Sequence, residues 1–256
     1  MLAAVAIGAV RVGGKKGGAM GRSGKIYAGT SGWAYKAWKP AFYPAKLAAA
    51  KFLQYYGTRL NSMEVNMTFR RRPTEKLLAG WSASVPEGFQ FAIKAHQSIT
   101  HFARLRGAAG ATVDFLASLE PLREAQKLGP VLFQLPPDLK YDHGRLKEFA
   151  EALPRGFRAA MEFRHETWFV AETYELLRSK NIALCLAESD DRETPDVSTA
   201  DFSYFRLRKE GYSAAARKTI AKRVSEAAKH GDVYVYYKHE DTPDGALYAE
   251  ELLKLT

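Results

Sequence analysis

The stretch Met161-Glu162-Phe163-Arg164-His165-Glu166-Thr167-Trp168-Phe169 decides the fold. Apolar Ala159-Ala160-Met161 leads into it, charges follow at once, and a helix-like run comes next. Alternate residues of a strand share a face, so Glu162 and Arg164 point the same way. A buried strand that ends in charges and passes straight into a helix is the pattern of a barrel protein at its active face.

Outward from this stretch, the pattern repeats along the chain from Lys25. Strands are expected near Ile26–Thr30, Leu60–Val65, Phe89–Ala95, Pro130–Leu135, Arg158–Phe163, Ile182–Ala187, Tyr204–Leu207 and Val233–Tyr237. Helical candidates lie between them, with apolar residues three or four apart. Leu146, Phe149 and Leu153 form one such stripe, Ile220 and Val224 another, and Phe115, Leu119 and Leu122 a third. Helix boundaries are signalled by Pro73 just inside a start, Ser213 as an N-cap and Gly231 past an end. The connection from Glu188 to Ser203 is too polar and too broken by proline for a full helix. The helix between strands six and seven is therefore expected to be short or missing.

Eight βα units over roughly 230 residues predict an α/β fold, a single (β/α)8 TIM-type barrel. It is expected to span 25–256, behind a flexible basic N-terminal extension, 1–24. An open doubly wound sheet shows the same alternation. However, no Gly-x-Gly-x-x-Gly follows a strand and no Gly-x-x-x-x-Gly-Lys-[Ser/Thr] occurs, which weighs against its nucleotide-binding forms.

Composition sets the outer limits. The chain has 256 residues, 46% apolar and 12% aromatic, enough for a sizeable core. Its one cysteine, Cys185, sits in the apolar run 182–186 and reads as a core thiol, and no disulfide framework is possible. A reducing, cytoplasmic location fits that usage. No run of eighteen apolar residues predicts a membrane span. The start, MLAAVAIGAVRVGG, lacks a basic leader and does not read as a secretory signal. Met20 is a candidate natural start, which would make 1–19 an extension. The net charge of +10 owes much to Arg11, Lys15, Lys16, Arg22 and Lys25, with a further cluster at Arg70-Arg71-Arg72. Such charge attracts polyanions without defining a fold or a reaction.

Function is expected at the C-terminal ends of the strands. Polar residues two apart recur there: Glu64 with Asn66, Lys94 with His96, Glu162 with Arg164, Glu188 with Asp190, Arg206 with Arg208, and Lys238 with Glu240. Gln134 ends another strand, before Pro136-Pro137. Five cations oppose five carboxylates in the six pairs, so the expected site is a balanced ion-pair network around a polar pocket, with displaced pKa values. The bland alternative is a satisfied network that closes the barrel top. Gly29-Thr30-Ser31-Gly32-Trp33, with Tyr35 and Trp38, supplies a tight turn and aromatic rings that either wall a pocket or pack the loop. The residues specify no cofactor. Metal ligation has no linear motif, and His96, His101, His165 and His239 read as rim or surface residues.

As an ordered series these segments resemble the domain of unknown function 72 family, over about Ile26 to Leu253. The carriers are Gly29-Thr30-Ser31-Gly32-Trp33, Phe42-Tyr43-Pro44, Glu64-x-Asn66-x-Thr68-Phe69, Phe91 with Lys94, Thr100-His101, and the run 128–137. Glu162-Phe163-Arg164 with Trp168 and Tyr204-Phe205-Arg206 complete the set. The resemblance implies a TIM-type barrel with a polar pocket and no agreed substrate. Two departures stand out. Arg70 follows Phe69 where the family commonly has tyrosine, and the last strand ends in Tyr237-Lys238-His239-Glu240-Asp241 where an aromatic and two asparagines are common. These imply a different ligand specificity at the eighth strand.

Three functions compete. The first is an enzyme on a small polar or phosphorylated metabolite, with Glu64, Glu162, Lys94 and Arg164 as catalytic candidates. Its ligand-binding candidates are Trp33, Tyr35, Asn66, Gln134, Trp168, Arg206 and Lys238. The second is a nucleic-acid binder or metal-dependent nuclease, by analogy with repair barrels. The third is a non-catalytic barrel that binds a ligand or protein.

Overall fold

The computed structural model describes residues 23–238 and 241–256. The main strands are β1 (Ile26–Thr30), β2 (Ser62–Val65), β3 (Gln90–Lys94), β4 (Leu128–Gln134), β5 (Ala159–Glu162), β6 (Ala183–Ser189), β8 (Phe202–Leu207) and β9 (Asp232–Tyr237). They pair in parallel in the order β1-β9-β8-β6-β5-β4-β3-β2 and form a nearly closed barrel. Every expected strand is present. The expected extension falls outside the described residues except for Ser23 and Gly24, whose amide donates to Ala228 O at 2.7 Å. His239 and Glu240 are outside them as well.

The helices are α1 (Phe52–Arg59), α2 (Glu75–Ser84), α3 (Ala109–Ala117), α4 (Glu120–Glu124), α5 (His143–Ala152), α6 (Ala171–Ser179), α7 (Ala214–Ala228) and α8 (Asp244–Leu255). The three predicted stripes face inward, with Phe115, Leu119, Leu122, Leu146, Phe149 and Val224 buried. Ser213 caps α7, its hydroxyl accepting from Ala216 N at 3.2 Å. The start of α2 differs from expectation. Pro73 stays outside, and Thr74 is the cap, accepting from Leu77 N at 3.3 Å. A capping hydroxyl satisfies an amide that the first turn leaves free, which a proline ring cannot do.

No helix joins β6 to β8, as the polar, proline-broken connection predicted. A two-residue strand, β7 (Arg192–Glu193), turns back antiparallel on β6. Beyond it the Thr199 hydroxyl accepts from Leu184 N and donates to Ile182 O, both at 2.7 Å. That side chain satisfies backbone groups at the start of β6.

Strand alternation divides the core in two. Outward residues such as Met63, Val65, Phe91, Ile93 and Phe133 pack under the helices. Inward residues, among them Ala92, Leu132, Ala160, Cys185, Tyr204 and Tyr236, fill the barrel. Cys185 is fully buried, and burial pushes its thiol pKa up, as expected of a core thiol.

Closure between β1 and β2 depends on side chains. Asn61 Oδ1 accepts from Ala28 N at 2.9 Å while its Nδ2 donates to Ile26 O at 2.8 Å, so an amide side chain takes the place of a peptide group. The buried Tyr56 hydroxyl accepts from Thr30 N at 2.9 Å and donates to Ser62 O at 3.0 Å. Gly29 is required at this seam, since a Cβ there would lie 1.9 Å from Ser62 O. Tyr56→Phe removes the partner of a buried donor and a buried acceptor. It is expected to cost about 1–3 kcal/mol, read as a lower urea midpoint with an unchanged slope.

Candidate functional site

Inward-facing positions continue past the packed interior to the C-terminal end of the barrel, where they become polar. Ser62 and Glu64 on β2, Ala92 and Lys94 on β3, Leu132 and Gln134 on β4, Ala160 and Glu162 on β5, and Tyr204 and Arg206 on β8 each alternate inward. The pleat thus delivers charged groups from four strands, and the Gln134 amide from a fifth, to one mouth.

Arg206 is the centre, at 1% exposure. Its Nε and Nη2 donate to Glu64 Oε2 and Oε1 at 2.9 and 2.7 Å, a bidentate pair, and its Nη1 donates to Glu162 Oε2. Glu64 also accepts from Ser31 Oγ at 2.7 Å and Tyr204 OH at 2.8 Å. Glu162 Oε1 accepts from Gln134 Nε2 at 2.8 Å and Arg164 Nε at 3.0 Å. Gln134 Oε1 in turn accepts from Lys94 Nζ at 2.8 Å. One chain of contacts therefore joins Lys94, Gln134, Glu162, Arg206 and Glu64.

Burial alone would push both glutamates toward protonation, but Arg206 and its neighbours overcome it and hold both below the usual carboxylate range. A carboxylate depressed in the folded state stabilises above its unfolded pKa and loses that contribution as pH falls toward its folded value. Stability is therefore expected to decline below about pH 4.5, the ordinary glutamate value. The decline should be shallower in Glu162→Gln than in the wild type, as measured by thermal melts at successive pH values.

Lys94 behaves differently. Burial is the largest influence and the Arg206 charge the next; together they outweigh Glu162 and Glu64, and its pKa falls to about 8. The ammonium also sits 4.2 Å from the Phe69 ring centroid. Thr68 Oγ1 donates to Lys94 O at 2.7 Å and fixes the strand end. His101, edge-on to Phe69 at 4.7 Å, is held below its ordinary pKa by burial and then by Lys94.

Arg208 joins the cluster, its pKa lowered by burial and then by Arg206. Lys94, Arg164, Arg206 and Arg208 act electrostatically on one another or on Glu64 and Glu162. Asp190 leaves the mouth for the exposed loop, where its carboxylate accepts from Glu210 N at 3.3 Å. Glu188 stays buried beside Lys209 Nζ at 3.7 Å. Lys238 is half-buried and extends the inward series Tyr234, Tyr236. Its expected partner, Glu240, lies outside the described residues.

Other candidates have structural employment. Trp168 is fully buried, stacked on Phe163 at 4.7 Å with Nε1 donating to Leu139 O, so it presents no face to a ligand. Trp33 is half-buried and edge-on to Trp81 at 5.6 Å. Tyr35 donates to Ser31 O at 3.2 Å and leans on Trp38. Asn66 is half-buried and its Oδ1 forms no hydrogen bond within the described residues. His96 and His165 bond locally to Ser98 and Thr167, and the latter bond caps a short helical turn. No cluster of three His, Cys, Asp or Glu suited to a metal occurs among the described residues. No helix among them is long and apolar enough to cross a membrane.

Two partners of the network, Ser31 and Tyr204, were absent from the candidates drawn from sequence. Tyr204 had a usable signal, since it lies two residues before Arg206 on one strand and must share its face. Ser31 lies in the tight turn after the first strand, and its hydroxyl donates a hydrogen bond to Glu64.

Fold and mouth together define a (β/α)8 barrel protein with a buried ion-pair network at the C-terminal ends of its strands. The family model described as "Protein of unknown function DUF72" matches residues 27–256, and the chain belongs to that family. It is similar to the solved DUF72 family protein of Thermotoga maritima, at 27% identity and TM-score 0.80, covering 90% of this chain and 98% of that one. The DUF72 family protein of Enterococcus faecalis has the same fold at 18% identity and TM-score 0.72, over 91% of this chain and 99% of that one. The UPF0759 protein YunF of Bacillus subtilis is 31% identical over 156 residues, 59% of this chain. That match spans about half of the relative's length, 54%.

Proposed function

We propose that the mouth binds a small anionic metabolite and that Lys94 is its acid–base group. The observation that carries this reading is the contrast within one network. Glu64 and Glu162 are saturated with donors and held ionised by Arg206, whereas Lys94 is held near its own point of proton exchange, at about 8. A group whose pKa lies near the operating pH is the efficient proton carrier. In this reading Glu64 and Glu162 are positioning residues that fix Arg206, and Gln134 aims Lys94. The Arg164 guanidinium, reaching solvent at 32% side-chain exposure, favours an anion.

The mouth cations are largely buried, which favours a small ligand over a nucleic-acid backbone. The exposed Arg70, Arg71 and Arg72 are a solvated basic surface. The chain purified gently and extracted should release an anionic small molecule, identified by mass spectrometry, and Lys94→Met should bind that compound at least tenfold more weakly. An uncharged ligand, or equal affinity in the variant, would rule the reading out.

A further inference from the structure

Two lysines flank the paired strands β3 and β4, one at each end, and they are used differently. Lys127, just before β4, is spent on structure: its Nζ donates to Ser82 O at 2.6 Å and to Val85 O at 2.8 Å. Lys94, at the mouth end of β3, has no such employment. The ion pairs of the mouth run between Arg164, Arg206 and the two glutamates and leave Lys94 out. Among the described residues its ammonium makes one hydrogen bond, to the neutral Gln134 Oε1 at 2.8 Å.

That one contact is well defined. Gln134 Nε2 is committed to Glu162 Oε1 at 2.8 Å, so the amide oxygen is the atom turned toward Lys94. An amide oxygen accepts from an ammonium and from an amine alike. The contact therefore survives loss of the proton, whereas a carboxylate would favour the ammonium. The Phe69 ring closes a second side, 4.2 Å away, and the like charges of Arg206 and Arg164 press against a proton on Nζ. The residue as a whole is half-buried, so the mouth reaches it. A lysine drawn out of water beside other cations is an activated amine nucleophile.

We infer that Lys94 adds to the carbonyl carbon of a small anionic aldehyde or ketone and forms an imine with it. This rests on the small-anion reading above and adds the carbonyl and the covalent step. The nitrogen lone pair forms the new C–N bond and the carbonyl C–O bond breaks. Both hydrogens of the amine leave with the oxygen as water, and no oxidant or reductant is consumed. The Arg164 guanidinium, which reaches solvent, would hold the carboxylate or phosphate of the same molecule.

The test incubates the full chain with sodium cyanoborohydride and pyruvate, dihydroxyacetone phosphate or neutral hydroxyacetone. Peptide mass spectrometry then locates the reduced adduct. The exposed Lys36 and Lys46 serve as internal references, so no variant has to fold. An anionic probe should label Lys94 at least tenfold faster than the references, and whichever reacts faster tells carboxylate from phosphate. Lys94→Arg should lose that adduct and keep labelling at the references. Ligand-observed NMR without reductant separates the two readings. Anions that bind while Lys94 is labelled no faster than Lys36 and Lys46 would overturn the imine and leave the anion site standing. Anions that neither bind nor label Lys94 would overturn both. Hydroxyacetone labelling Lys94 as fast as the anions would overturn the requirement for a charged ligand.

Discussion

Arg206→Met should destabilise the folded chain by about 3–5 kcal/mol, since removing one partner of a buried ion pair strands the other charge. Here two charges are stranded. Glu64 and Glu162 are 0% and 2% exposed, and both lean on the same guanidinium. Ser31, Tyr204, Gln134 and Arg164 would remain as donors, which limits the loss. Urea denaturation should show the midpoint falling with little change in slope. The triple variant Glu64→Gln, Glu162→Gln, Arg206→Met provides the internal control: with no ionised carboxylate left buried and unpaired, it should recover more than half of the lost stability. If Arg206→Met lost less than about 1 kcal/mol, as an exposed pair does, the network could not be the tightly coupled unit described.

Lys94→Met should lower turnover of the natural ligand by about 10²–10⁴-fold, the range general acid–base groups supply. The wild-type rate should titrate near pH 8, rising through that pH if the free amine takes a proton and falling if the ammonium gives one. Lys94→Arg keeps the charge but does not exchange a proton in this range, so it should retain binding and lose rate. That split separates a catalytic lysine from a merely electrostatic one. The same group has a stability signature. Its folded pKa is depressed from 10.5 to about 8, so the unfolded chain holds more protons between those values and stability should rise with pH across that window. Lys94→Met should flatten that rise, and a wild-type melting temperature indifferent to pH there would show that burial does not perturb Lys94.

Sequence carried much of the architecture because the barrel repeats a local rule. Hydrophobic runs at strand length, amphipathic runs at helix spacing and a proline-broken stretch after the sixth strand each act over a few residues. Membership of one mouth was also legible for Glu64, Lys94, Gln134, Glu162 and Arg206, since a strand's alternation sets which residues face inward. The roles within that mouth were not. Whether a glutamate exchanges protons depends on how many donors converge on it from other strands, and Glu64 receives them from Ser31 on one side of the barrel and from Tyr204 and Arg206 on another.

Trp168 and Asp190 show the same limit from the other direction. Both follow a strand end, Trp168 six residues after β5 and Asp190 one residue after β6. One turns into the core against Phe163, and the other leaves with the β6–β7 turn. Loop direction is decided by distant packing, which spacing along the chain does not encode. The sequence by itself determined the eight-strand alternation, the absent helix and the inward series that ends in charge. Only the tertiary structure decided that Arg206 bridges both glutamates and that burial lowers the pKa of Lys94. Electrostatic energy depends on distances and burial through space, while the hydrophobic pattern that builds the barrel is written along the chain.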